Sequence, residues 1–419
     1  MGQIQSKECA DEESTDNLSA EKESKHLGQL AETEIKYLGK LAEKEGLIAM
    51  SNYIKMTLNR WQTEQVKIAI TGRSATGKST FINTIRKVKP GDDGFAKSGS
   101  GDTTRTPTLY IHPTNDQITF CDLPGYSSLK FKKEDYISEM EISDYDFFLI
   151  FVSNTLSEDD IWMAGELRKL KKPFSFVRSK IDVDIDNAIS DDKDPEKIIP
   201  EIREQLKEAL DAELEYTNCM FLISSRKPDL GEMSDLIRYI EKTMDGFKFQ
   251  VLLFSIPSMT KNIVETKYKM LKARLVKVSC LAAGAAATPV PGVDSAANFA
   301  LLASEMNHYM HVFGVQPEFV NSLKDFDQSL LKCRSLIAPT FKMIPFIILK
   351  LGTYATVILA QSWIDLILPL VGSIVSAATA AWVAYTFLDE MLQDLKHDAM
   401  LIHGHHVMEA SADNRSSGI

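Results

Sequence analysis

From Leu27 to Arg60 apolar residues recur every three or four positions in "LGQLAETEIKYLGKLAEKEGLIAMSNYIKMTLNR", which predicts amphipathic helix broken near Gly46. The pattern then changes. From Val66 to about Met244 short apolar runs alternate with helical stretches, and "VKIAIT" (66–71), "ITFCDLP" (118–124), "DFFLIFVS" (146–153), "FSFVRS" (174–179) and "NCMFLISS" (218–225) read as buried strands. Such alternation predicts a mostly parallel sheet covered by helices, an α/β unit. Beyond Phe247 the strand signals fade. The remainder reads as an all-α segment punctuated by "ATPVPGVD" (287–294) and "LPLVG" (368–372), and from about His403 the chain is polar enough to expect a loose tail.

One stretch needs separate treatment. Leu366 to Leu388 runs 23 residues without a charge, long enough for a bilayer span at about 20 residues. Pro369 lies inside the run, "SAATAA" is small-residue helix-packing sequence, and the neighbouring run Met343–Trp363 is interrupted by Lys350. We therefore expect buried helices of a bundle core rather than a span.

Composition narrows the field. At 419 residues, with 44% apolar and 25% charged residues, the chain is long enough for two or three domains and is not disordered as a whole. A net charge of −11 argues against a nucleic-acid partner, which would require a basic field. Five widely separated cysteines make neither a zinc pattern nor a disulfide framework, as expected of a reducing compartment. The start is no secretory signal; up to His26 it carries seven acids against three lysines and reads as a solvated tail. Its "MGQIQS" nevertheless fits the N-myristoylation pattern, with Gly2 as the acceptor and Ser6 at the hydroxyl position.

The candidate chemistry begins at "GRSATGKST", Gly72 to Thr80, directly after the first strand run. It fits G-x-x-x-x-G-K-[ST]. Backbone N–H groups of such a loop, here from Gly72, Thr76, Gly77 and Thr80 among others, surround phosphates, Lys78 places a point charge on the β and γ groups, and the Ser79 hydroxyl is a Mg²⁺ ligand. "CDLPG" closes a later strand, with Asp122 placed to hold the Mg²⁺ shell through water and Gly125 to offer its N–H to a γ-phosphate. Between them "GDTTRTPTLY" is a hydroxyl-rich connection, from which Thr104 is selected over Thr103 as the residue that binds Mg²⁺ and the γ-phosphate. "RSKID" supplies Lys180 and Asp182 in the spacing of the guanine motif, whose carboxylate accepts from the ring N–H and the exocyclic amine that adenine lacks; Ser179 stands where Asn or Thr is usual. "ISS" ends the next strand and would bring the backbone of Ser224 and Ser225 to the guanine O6. Five motifs in order, each at a strand end, predict GTP or GDP with Mg²⁺. Lys78 and Thr104 are the expected catalytic groups. Tyr126 follows Gly125 where a water-orienting glutamine is common, so turnover is expected to be slow and accelerated by self-association. His403, His405 and His406, and the lysine clusters at 130–133 and 169–172, read as solvated surface.

These motifs together resemble the immunity-related, interferon-inducible GTPases. "DTTRTPTLY", "FSFVRSKID" and "FLISS" are similar to that family's switch region, guanine motif and last nucleotide loop, and "CLAAGAAATPVPGVD" with "FALLASEMNHYMHVFGV" resembles its helical signature. The likeness runs from about Leu27 to about Leu401. It implies a Ras-like P-loop G domain (63–246) inserted in a helical domain made from 27–62 and 247–402, with flexible tails at 1–26 and 403–419. It also implies slow cooperative hydrolysis of GTP, GTP-dependent homodimers or oligomers through the G domains, related GTPases as further partners, and a cytoplasmic protein peripherally attached to intracellular membranes. Lys78 groups the chain with the members that keep this lysine, which the resemblance makes effectors. Several members are myristoylated at the residue corresponding to Gly2.

Overall fold

The computed structural model describes residues 36–38, 40–41, 43–97, 106–126, 133–211, 219–286, 293–354 and 369–416. Gly2, Thr104, most of "ATPVPGVD" and residues 366–368 lie outside that set. Six strands form one sheet: β1 (Val66–Gly72), β2 (Thr108–His112), β3 (Asn115–Asp122), β4 (Phe147–Val152), β5 (Phe174–Arg178) and β6 (Met220–Leu222), in spatial order β2-β3-β1-β4-β5-β6. Every neighbouring pair is parallel except β2 on β3. The expected mostly parallel sheet is therefore present. β2 departs from the sequence reading, which treats Thr108–Tyr110 as part of a connection; it is an edge strand whose Leu109 and Ile111 are exposed, so it lacks a buried run.

Strand side chains alternate between two buried clusters because successive residues point to opposite faces. Phe147, Leu149 and Phe151 of β4 enter one cluster and Phe148, Ile150 and Val152 the other. All six are essentially inaccessible, and at about 1.5–3 kcal/mol for each fully buried large side chain β4 is the sheet's central anchor. The first cluster continues without interruption into the helices through Phe249, Leu253, Leu271 and Leu392. The second lies on the opposite face, under the helices Lys133–Glu139 and Glu158–Lys169, and includes Tyr126, Tyr136 and Leu167.

Helices from both ends of the chain meet on the first face. Leu47–Asn59, Lys261–Ala286, Val293–Phe313 and the long Pro369–Ser416 pack together. Arg274 ties three segments: its guanidinium donates to both Glu305 oxygens at 3.0 and 2.6 Å and to the Leu58 carbonyl at 2.5 Å, all buried. The passage into the second helical segment is no loose linker. Asp245 caps the helix Gly246–Ser255, Lys248 pairs with Asp146 at 2.6 Å, and Asn115 donates to Ser255 Oγ at 2.9 Å.

Two sequence expectations about the C-terminal region change here. The segment after His403 is helix to Ser416 rather than a loose tail, and its described histidines find partners. His403 is buried with its Nε2 3.0 Å from an Asp229 carboxylate oxygen, and His405 Nε2 lies 2.9 Å from the Lys324 carbonyl, so these two are not solvated, whereas His406 is exposed as expected. In the described part of the uncharged run, Val383, Ala384, Phe387 and Leu388 are buried in the helical core. No helix of the described residues is long and apolar enough to cross a membrane.

Candidate nucleotide site

The strand order reverses between β1 and β4, from which the chain builds outward in opposite directions. Parallel sheets hold ligands at such a reversal, outside the carboxyl ends of the strands. Four of the five sequence motifs leave those ends: Gly72–Thr80 after β1, Asp122–Gly125 after β3, Ser179–Asp182 after β5 and Ser224–Ser225 just beyond β6. Of the fifth, residues 101–105 with Thr104 lie outside the described residues, and its end runs into β2.

Backbone sterics dictate the first loop. At Gly72 φ is 124°, and a Cβ would stand 2.0 Å from the Phe151 carbonyl oxygen of β4, so only glycine lets the chain leave the sheet there. Gly77, at φ 97°, caps the helix Lys78–Arg86 in the left-handed region, and a Cβ would meet Ser179 Oγ at 2.3 Å. Thr76 Oγ1 closes the turn on the Arg73 carbonyl at 2.8 Å. Lys78 arches over it, its ammonium donating to the carbonyls of Gly72 and Arg73 at 2.8 and 2.9 Å. Ser79 and Thr80 sit half-buried in the first helical turn. A helix N-terminus with its leading N–H groups facing outward favours anions.

The base-side loops lock onto this cradle. Ser179, 2% exposed, donates through its hydroxyl to the Thr76 carbonyl at 2.5 Å, and Lys180 Nζ donates to the Ala75 carbonyl at 2.5 Å. The serine that departs from the usual Asn or Thr thus makes a direct bridge between the guanine motif and the phosphate loop. Asp182 is buried in the first turn of the helix Ile181–Ser190. Ser224, fully buried, accepts from the Lys227 N–H at 2.9 Å, and the Ile181 N–H donates to the Ile223 carbonyl at 3.3 Å, which joins the two base-side loops.

At the end of β3, Asp122 lies beside Ile70 of β1 in register, and the Leu123 N–H donates to the Ile70 carbonyl at 2.8 Å. One hydroxyl (Ser79, in the first turn of the helix after β1) and one carboxylate (Asp122, at the end of β3) are hard oxygen donors, the kind Mg²⁺ takes alongside phosphate oxygens and water. The donor set fits the ion. Tyr126 is only 3% exposed: its side chain turns down into the second core cluster, and its hydroxyl donates to Asp160. Burial first, and then Asp160, hold that phenol well above its ordinary range, so it stays protonated.

One contributor escapes the motif reading. Arg178, the last residue of β5, is buried behind the guanine motif, donating to the Ser179 carbonyl and pairing with Asp184 at 2.8 Å. The signal was a charged residue closing the strand run "FSFV". The lysine clusters behave as a paired surface where described: Lys133 meets Asp159 at 2.6 Å, Lys169 meets Glu166 at 2.7 Å, and Lys172 donates to the Tyr145 carbonyl at 2.9 Å.

Comparison with known proteins adds a family. The model of the family described as Interferon-inducible GTPase (IIGP) matches residues 31–342. Interferon-gamma-inducible GTPase 10 of Mus musculus is 30% identical over 68% of this chain and 69% of its own length. Interferon-inducible GTPase 5 of Rattus norvegicus is 27% identical over 85% of this chain and 82% of its own. Among solved structures, the G domain of the T. maritima FeoB iron transporter aligns at 18% identity over 43% of this chain and 99% of its own, with a TM-score of 0.28.

Proposed function

The chain belongs to the interferon-inducible GTPase family, and from that premise we propose a GTPase that self-associates in its GTP state and acts on intracellular membranes in cell-autonomous immune defence. It binds GTP and hydrolyses it. The observation that supports the reading of the site is the bridge from Ser179 to Thr76, which joins the guanine motif directly to the phosphate loop.

In this reading the backbone of Gly72, Thr76, Gly77 and Thr80 holds the phosphates, and the Lys78 ammonium moves from its two carbonyls to the β and γ oxygens as charge develops in transfer. Ser79, Asp122 and Thr104 would hold Mg²⁺, which when bound would supply charge neutralisation to the phosphates. Asp182 accepts from the guanine N–H and amine, Lys180 covers the base, and Ser224 and Ser225 offer backbone N–H groups to O6. Gly2 carries a myristoyl chain; a single such chain binds a bilayer only marginally, so assembly into oligomers supplies the avidity that holds the protein on its membrane.

Asp182→Asn tests the base assignment. It is expected to weaken GTP by more than about tenfold, the scale of a lost hydrogen bond to a charged acceptor, while inorganic triphosphate binds unchanged. Equal loss of both ligands contradicts the assignment. A second reading, a nucleotide-gated scaffold with negligible hydrolysis, is favoured by one observation. Tyr126 is held in the core by Asp160 and is not free to orient water.

A further inference from the structure

The Pro124–Gly125–Tyr126 turn is fastened on both sides of its glycine. Upstream, the Leu123 N–H continues the β-pairing to the Ile70 carbonyl at 2.8 Å, and the hydroxyl of the fully buried Tyr136 donates to the Pro124 carbonyl at 2.8 Å. Downstream, the Tyr126 hydroxyl donates to Asp160 Oδ1. The Gly125 peptide lies between these anchors.

Asp160 is an unusual anchor because it is a carboxylate with 0% exposure. Its second oxygen accepts from the Ser157 N–H at 2.9 Å and from the Ser157 hydroxyl at 2.7 Å, closing a capping box at the start of the helix Glu158–Lys169. A helix N-terminus favours a negative charge at that position, so the buried acid is held by local donors and the helix dipole. The rings of Tyr126, Tyr136 and Trp162 pack edge-on or tilted with centroids 6.0–6.3 Å apart, which leaves the two phenols little room to turn. Packing alone would be served by phenylalanine; one hydroxyl that donates to the turn's first carbonyl and another that ties its last residue to Asp160 point to its conformation as what is being held.

We propose that Asp160 is a positioning residue for the triphosphate: acting through Tyr126, and in concert with Tyr136, it holds the turn so that the Gly125 N–H faces the γ-phosphate. The inference rests on the reading of Gly125 as the γ-phosphate contact. Its consequence is selective. Contacts to guanine and to the α and β phosphates come from other loops, so the clamp governs the preference for triphosphate over diphosphate and the rate of hydrolysis, and leaves diphosphate binding alone.

The test uses the full-length protein with Tyr126→Phe, Tyr136→Phe and Ser157→Ala, each titrated with GDP and with a non-hydrolysable GTP analogue and assayed for turnover. Both tyrosine variants are expected to bind GDP within about twofold of the parent, to bind the analogue about tenfold more weakly, the size of one lost charge-assisted hydrogen bond, and to lower kcat more than they raise KM. Ser157→Ala removes a partner of the same carboxylate without touching the turn; it is expected to lower the melting temperature yet keep the GTP-to-GDP ratio. Equal weakening of both nucleotides, an unchanged ratio, or a ratio shifted toward the triphosphate in the tyrosine variants would overturn the proposal. A parent protein that bound neither GDP nor the analogue would instead undo the reading of the site itself.

Discussion

Replacing Ser179 by alanine removes one oxygen from the structure and asks whether the two halves of the site are mechanically joined. The hydroxyl and the Thr76 carbonyl it meets at 2.5 Å are both buried, Ser179 at 2% and Thr76 at 7% exposure. Alanine leaves that carbonyl without this donor, at a cost of about 1–3 kcal/mol for a buried unsatisfied group. Without nucleotide the phosphate loop can relax toward water and recover part of the loss. A bound guanine nucleotide demands the joined arrangement, so at least about 1 kcal/mol should appear in affinity, a drop of about fivefold or more in GTP binding. Inorganic triphosphate touches only the phosphate loop and serves as the internal control. Isothermal titration with both ligands, at matched secondary structure, is the assay. Ser179→Ala that binds GTP as tightly as the parent would refute the bridge as a determinant of affinity, and equal losses for GTP and triphosphate would show damage to the phosphate loop instead.

Two further perturbations probe the frame around the site. Arg274→Ala strands the buried Glu305 carboxylate and the Leu58 carbonyl, and breaking such a pair from one side should destabilise the fold by about 3–5 kcal/mol; a urea midpoint shift equivalent to less than about 1 kcal/mol would contradict the three-way tie. Lys267 is fully buried, donating to the carbonyls of Ile256 and Val312 at 2.6 and 2.7 Å, and burial, with a smaller push from Lys87, lowers it to about 7. The unfolded chain keeps the ordinary value near ~10.4, so between these values the unfolded state holds the extra proton and stability must rise with pH. The parent is expected to gain stability from pH 7 to 10 relative to Lys267→Met, and equal pH profiles for the two would contradict it.

The parts of the fold that could be read in the sequence were those whose residues are buried on both faces. β4 is a continuous apolar run and β5 is buried along its whole length because helices cover both sides of the sheet there, and the phosphate loop is legible because steric demands at Gly72 and Gly77 admit few residues. β2 was illegible for the converse reason: an edge strand with Leu109 and Ile111 exposed has no burial signature to display. The extension of the last helix to Ser416 was hidden because its polar residues look solvated until their partners, such as Asp229 for His403, are brought in from distant sequence. Tyr126 shows the same limit within the site. Its position after Gly125 could be read, but whether it faced the nucleotide or the core depended on Asp160, 34 residues away.

We propose a GTPase whose turnover depends on contact with another copy of itself. The most direct measurement is GTP turnover by the purified protein across a wide concentration range, with light scattering followed in the same cuvette. Specific activity is expected to climb with protein concentration, and scattering to rise on GTP addition and decay as GTP is consumed. A specific activity that stays flat and very low, with no change in scattering, would contradict it.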